Sequence, residues 1–259
     1  MPSVVVRWLP ALVQSPTAWF DIAIKRVERW LDRRWVRHPA YEAHDWLTVV
    51  HELASVLPGW TEVLAEAPLK AIEEQVQRGR RDLDGQGPWH VGMNADLALA
   101  RCLYGLARAL QPETVVETGV GYGVSSAFIL QALAVNGRGH LYSVDLPLPG
   151  RDSAHFTGAL IPARLRDRWS LHVGTSRRLL PRLLVDQPLD LFVHDSSHTY
   201  LNMRREFAWA WERLRAGGVL VADDVECSQA FEELRARAPR FWRVARQEAK
   251  RALFGIAIK

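Results

Sequence analysis

The order of apolar segments predicts a doubly wound α/β sheet of seven strands that closes with an antiparallel hairpin and is preceded by a helical extension. Three observations carry this. From about residue 95 onward, short apolar strands alternate with helical stretches, the pattern of parallel βαβ units. The first strand runs into a turn with glycine at every second position, and then into a helix. The last two strands, Trp242–Gln247 and Leu253–Ile258, are joined by a connection too short for a helical crossover, so they must pair antiparallel.

The glycine turn organises the rest. It reads Val115-Val116-Glu117-Thr118-Gly119-Val120-Gly121-Tyr122-Gly123-Val124-Ser125-Ser126. Gly119, Gly121 and Gly123 can take backbone angles closed to other residues and let a ligand lie against the main chain. The helix that follows offers unpaired N–H groups and a positive dipole end. Such a strand, turn and helix form a cofactor cradle. The glycines alone leave the cofactor open, although their G-x-G-x-G spacing departs from the G-x-G-x-x-G of dinucleotide-binding proteins.

The 259 residues suit one α/β domain with an extension, and 48% apolar and 24% charged residues are ordinary for a globular protein. The net charge of +4 is small, and 29 of the 33 basic residues are arginine, so nucleic acid is not expected as a partner. Two cysteines, Cys102 and Cys227, are too few for a disulfide framework, which fits a reducing, cytoplasmic setting. No run approaches the ~20 apolar residues of a membrane span, and MPSVVVRWLP is too short and too soon interrupted to read as a signal peptide.

Residues 1 to 88 read as a helical extension rich in tryptophan, expected to serve as a lid or a dimer contact. In its first helix, capped by Ser15-Pro16, Phe20, Ala23, Ile24, Val27, Trp30, Leu31 and Trp35 recur at helical spacing as a core-facing stripe. Lys25, Arg26, Arg29, Arg33, Arg34 and Arg37 form a basic face, read as solvated rather than as a membrane contact. Two more helices are expected, over 41–57 and 60–81, before the break at Asp84 to Pro88. Residues 89–259 form the main domain. It holds a helix over 95–110, strand one, a helix over 122–135, strand two at 140–144 and a loop containing Pro147, Pro149 and Gly150. A short basic helix near Arg164 follows, then strand three at 169–174, a helix over 177–185, strand four at 189–194, a helix over 200–215 closed by Gly217-Gly218, and strand five at 219–222.

With Glu117, the glycine spacing and the terminal hairpin, residues 89–259 resemble a class I S-adenosylmethionine-dependent methyltransferase with a Rossmann-like sheet. The resemblance implies that Gly119 and its neighbours, Gly121 and Gly123, lie against the methionine part of the donor, with Glu117 in the same site. Ser125 would sit near the donor carboxylate, and Asp145, ending strand two, would accept both ribose hydroxyls. Thr175 and Ser176 match the adenine-contacting position, and His90 to Met93 would approach from the extension side. As alternatives, Asp145 could cap a turn, and Thr175 or Ser176 a helix.

A second informative stretch, Val193-His194-Asp195-Ser196-Ser197-His198, leaves strand four on the same side, and strand five ends Val221-Ala222-Asp223-Asp224. Adjacent strands lie about 4.8 Å apart, so Asp195, Asp223 and Asp224 can converge. Three carboxylates without thiolates suit a hard divalent cation such as Mg2+. The pair of stretches resembles metal-dependent O-methyltransferases, of the catechol type and of the type that methylates sugars in natural-product biosynthesis. The resemblance makes those three aspartates metal ligands and His198 the base. His198 and Asp224 stand where the catechol type has lysine and asparagine, which favours a sugar or another polyhydroxylated acceptor. His194 alternates with Asp195 and is read as structural. Arg151, Arg164, Arg177 and Arg178 hint at an acidic group on the substrate, or are surface charge. The competing readings are a metal-independent methyltransferase using His198, an NAD-dependent oxidoreductase, and a non-enzymatic cofactor-binding protein.

Overall fold

A computed structural model describes residues 16–89, 95–146, 153–183 and 187–259. The expected contacts of His90 to Met93, the Ser15 cap, Arg151 and the loop prolines after strand two lie outside these residues. The helices ahead of the sheet are α1 (Pro16–Trp35), α2 (Trp46–Ala54), α3 (Trp60–Leu64) and α4 (Ala67–Leu83). Then come α5 (Leu97–Leu110), β1 (Thr114–Thr118), α6 (Val124–Asn136), β2 (His140–Asp145), the single turn α7 (Ser153–Phe156) and β3 (Trp169–Val173). The chain continues through α8 (Ser176–Leu179), β4 (Leu189–His194), α9 (Tyr200–Arg213), β5 (Leu214–Asp223), α10 (Ala230–Glu233), β6 (Phe241–Arg246) and β7 (Leu253–Ile258).

The seven strands form one sheet in the order β3-β2-β1-β4-β5-β7-β6. The first five pair parallel, and β7 runs antiparallel to both β5 and β6, as the short connection requires. Side-chain alternation explains the two helical layers. Val115, Leu191, Val193, Val219 and Val221 join the apolar layer under α5 and α6, whereas Val116, Phe192, Leu220 and Ala222 join the layer under α9. A strand buried on both faces needs helices on both. Val49, Leu53, Trp60, Leu69, Ile72 and Val76 from α2, α3 and α4 belong to the first of these layers.

Several boundaries differ from expectation, each for a local reason. The helix expected over 60–81 is two helices, because Pro68 lacks the N–H to continue α3 and instead opens α4. The helix expected over 41–57 begins only at Trp46, where Asp45 accepts the Thr48 N–H at 2.8 Å. The residues before it are extended, and His44 bridges to the β6 strand. After Leu179 the helix expected over 177–185 tightens to a 3₁₀ turn, Leu180–Arg182, around Pro181. The helix expected to reach Arg215 stops at Arg213, and β5 starts at Leu214 rather than Val219, with a register irregularity opposite Leu189/Leu191.

Helix α1 reverses the usual arrangement of an amphipathic helix. Asp21, Glu28 and Asp32 face the body together with Ile24 and Leu31, while Phe20, Val27, Trp30 and Trp35 are exposed. The expected core-facing aromatic stripe is therefore corrected. Arginines on the body made the carboxylate face the inner one: Arg177 pairs with Asp21 at 2.9 Å and Arg205 with Glu28 at 3.0 Å. Among the described residues no helix is long and apolar enough to cross a membrane.

Candidate active site

The parallel register brings the predicted residues to one edge. Val144, Thr118, His194 and Ala222 are register partners across β2, β1, β4 and β5. The next residue on each strand is Asp145, Gly119, Asp195 and Asp223. Four strands thus deliver three carboxylates and the first turn glycine to the same level at their carboxyl ends, where doubly wound sheets bind ligands.

Gly119 and Gly121 serve different ends. At Gly119 (φ 84°) a Cβ would fall 1.9 Å from the carbonyl oxygen of Asp195, so the turn is packed directly on the end of β4. At Gly121 (φ 52°) nothing among the described residues lies within 4 Å of that position, and the turn is open there. Gly123 precedes α6 and packs against Gly158. The open surface of the cradle is thus at Gly121.

Asp145 Oδ2 accepts the N–H groups of Val120 and Gly121 at 3.2 and 3.1 Å. Burial pushes its carboxyl up, and these amides with the nearby Lys25 of α1 hold it down. Glu117 lies beneath the turn, fully buried, accepting hydroxyls from Ser125 (2.5 Å), Ser126 (2.6 Å) and Ser143 (2.8 Å). Both its oxygens and the Ser125 hydroxyl are thereby engaged within the protein. Thr175 precedes α8, and its hydroxyl is buried without a partner among the described residues, whereas Ser176 donates to Asn202 at 3.3 Å.

On the other side of the turn His198 Nε2 stands 3.3 Å from Asp224 Oδ2 and 4.0 Å from Asp195 Oδ1. Burial, reinforced by His194, pushes the His198 imidazole down to about 4, so its neutral form prevails at neutral pH. Burial and the adjacent acidic groups push Asp195 up and Asp223 up to about 7. Asp224 holds a left-handed backbone conformation (φ 49°), which turns its side chain toward His198. These three carboxylates supply oxygen donors of the kind a hard divalent cation takes, and their mutual repulsion is what such a cation relieves. As they stand they are not grouped around one point among the described residues, with Gln247 donating to Asp223 and His198 beside Asp224.

The sequence reading missed Glu206. On α9 it accepts from Thr118 Oγ1 (2.6 Å), His194 Nδ1 (2.6 Å), Ser196 Oγ (2.9 Å) and Asn202 Nδ2 (2.9 Å). Burial acts to raise it, yet His194 and the hydroxyl donors hold it down to about 2. His194, read as structural, is fully buried as the partner of this carboxylate, with its ring 5.4 Å from that of His198. The available signal was an acidic residue beside Met203 and Phe207 on the apolar face of α9. Arg177 and Arg178 pair with Asp21, and Arg164 donates to Gln131, so all three are engaged within the protein. A cleft of about 810 Å³ at the β6 edge, lined by Tyr41, Glu52, Arg240 and Trp242, is remote from this cluster.

Helix α1 lies across the same edge. Glu28 accepts from Thr199 and Arg205, Asp32 accepts the Tyr200 N–H, and the Arg37 N–H donates to Gln229 beyond β5.

Comparison with known proteins agrees with this layout. Residues 116–225 match a family model described as a methyltransferase domain. Curated proteins give no significant match. Among solved structures, an O-methyltransferase from Bacillus cereus in complex with SAH is 18% identical, with a TM-score of 0.56 over 83% of this chain and 98% of that one. The Streptomyces achromogenes O-methyltransferase of tomaymycin synthesis, in complex with SAM, is 18% identical with a TM-score of 0.53 over 82% and 96%. An SAH-bound methyltransferase from Podospora anserina is 13% identical with a TM-score of 0.52 over 73% and 88%. Residues 116–225 thus match a methyltransferase domain, and the chain has the fold of the class I S-adenosylmethionine-dependent methyltransferases.

Proposed function

We propose that this chain transfers a methyl group from S-adenosylmethionine to a hydroxyl of a sugar or other polyhydroxylated small molecule, with His198 as general base. The observation that carries the reading is that the Asp195 backbone packs on Gly119 while its carboxylate stands 4.0 Å from His198 Nε2. Donor cradle and proton acceptor share one wall. The SAH- and SAM-bound O-methyltransferases of the same fold support the donor and the oxygen acceptor. So do the surface at Gly121 and the Thr175 hydroxyl, neither of which meets a partner among the described residues.

In this reading Asp145 turns from the Val120 and Gly121 amides to the ribose hydroxyls. Asp195, Asp223 and Asp224 would hold a divalent cation such as Mg2+, which lowers the pKa of a bound hydroxyl. The acceptor oxygen attacks the sulfonium methyl carbon, a C–O bond forms, and the C–S bond breaks to leave a neutral thioether. His198 takes the hydroxyl proton, for which its neutral form is required. Holding oxygen, carbon and sulfur in line supplies much of the remaining rate.

The engagement of Asp223 by Gln247 and Asp224 by His198 favours a second reading, in which the same base works without a cation. Methyl transfer to a panel of hydroxylated acceptors, with Mg2+ and with a chelator, separates the two. Loss in chelator supports the cation, and full activity refutes it. His198→Ala should lower kcat by about 10²- to 10⁴-fold with donor binding retained; an unchanged kcat would remove His198 as the base.

A further inference from the structure

The outer face of α1 is unlike the rest of the surface. Val27 and Trp30 are 56% and 57% exposed on adjacent turns, Phe20 is 60% exposed two turns before Val27, and Trp35 is 70% exposed at the helix end. Arg26, Arg29, Arg33 and Arg34, all exposed, border this apolar stripe, and Arg34 lies over the Trp30 ring. The helix has three acidic residues, Asp21, Glu28 and Asp32, and each is bound inward to Arg177, Arg205 or the Tyr200 N–H. The carboxylates therefore fix which way the helix faces, and they hold its aromatic and basic residues toward solvent. The chain immediately before it reads VVVRWLPALV over residues 4–13, with Arg7 as the one charged side chain.

We infer that the outer face of α1 docks on an anionic membrane surface. Apolar and tryptophan side chains interleaved with arginine, on a helix without an outward carboxylate, match the two attractions of such a surface: burial at the acyl boundary and charge at the headgroups. Tryptophan is the side chain best suited to the interface itself. A second copy fits poorly, because a two-fold contact through this face would set Arg26, Arg33 and Arg34 against the same arginine-bordered stripe of the other copy, like charge facing like. An acidic protein would answer the arginines but gives no reason for the uninterrupted apolar chain at residues 4–6. The docked helix would hold the edge containing Asp145, Asp195 and His198 close to the bilayer. The inference does not depend on the proposed acceptor.

The test is flotation of the full chain with phosphatidylcholine vesicles, with and without phosphatidylglycerol. Binding is expected only where phosphatidylglycerol is present, weakening as salt is raised. Arg26→Gln with Arg33→Gln should reduce partitioning by roughly 25-fold, at about fivefold per arginine. Val27→Ser with Trp30→Ser should reduce it on the order of tenfold. These side chains are outside the strand-end cluster, so circular dichroism and SAH affinity should match the parent. Equal binding to neutral vesicles, absence of vesicle binding, or undiminished binding by both variants overturns the inference. So does a change confined to oligomeric mass, which would assign the face to a second copy, or binding to polyglutamate without binding to vesicles, which would assign it to an acidic protein.

Discussion

Replacing Glu206 with glutamine keeps the shape of the side chain and removes its charge, at the point where β1, β4 and α9 meet. The wild-type carboxylate accepts from Thr118, His194, Ser196 and Asn202 and is held down to about 2, against an ordinary value of 4.5. At 1.36 kcal/mol per pKa unit this corresponds to about 3 kcal/mol of stability carried by the ionised form. The sign follows from the direction. A carboxyl whose folded-state pKa lies below its unfolded one stabilises the fold above the unfolded value, and that contribution is lost as pH falls through the folded one. Urea unfolding of the parent and Glu206→Gln should therefore differ by about 3 kcal/mol at pH 7. The gap should stay level down to about pH 5 and narrow steadily below 4.5. A gap under about 1 kcal/mol, or one that widens as the pH is lowered, would refute this account of Glu206 as an ionised anchor.

Gly119→Ala should be far more damaging than Gly121→Ala. The first drives a methyl group into the Asp195 carbonyl, whereas the second meets open space and costs about 1 kcal/mol for its positive φ; thermal unfolding and SAH titration of both variants would check this order. Asp96→Ala removes the α5 cap and the bonds to the Glu248 and Ala249 N–H groups, which fold the β6–β7 connection toward Asp223. It should destabilise by about 2 to 3 kcal/mol; an effect below about 0.5 kcal/mol in urea unfolding would contradict it. Asp145→Asn should weaken S-adenosylmethionine binding at least about tenfold while leaving the melting temperature near that of the parent, since amides can still be met by the side-chain oxygen.

The strand plan was legible because each signal was local or fixed by chain length. Val115 to Gly123 needs no distant partner to be read as strand and turn, and the five residues between Gln247 and Leu253 cannot span a crossover. The site was legible only as far as strand ends go. Asp145, Asp195 and Asp223 could be aligned from their positions, but Glu206 could not be paired with Thr118 without knowing that α9 packs behind β1. The orientation of α1 was unreadable for the same reason. Phe20, Val27 and Trp30 have the spacing of a core stripe, and only Arg177 and Arg205, more than 150 residues away, reveal that the acidic side is the inner one. Periodicity locates a stripe but does not say which side the body occupies.

The order in which the chain is made has a consequence for β7. It is the last of the seven strands in sequence, yet it lies between β5 and β6 rather than at the rim. During synthesis, the β5 strand emerges with one side unpaired, and it must wait until residues 253–258 clear the ribosome before Phe254, Ile256 and Ile258 can close the layer. Until then the growing chain exposes an apolar strand edge of the kind that pairs with neighbouring chains. Completion of the sheet thus waits on the last of its strands to be made, and the interval before it is when the chain most needs protection from self-association.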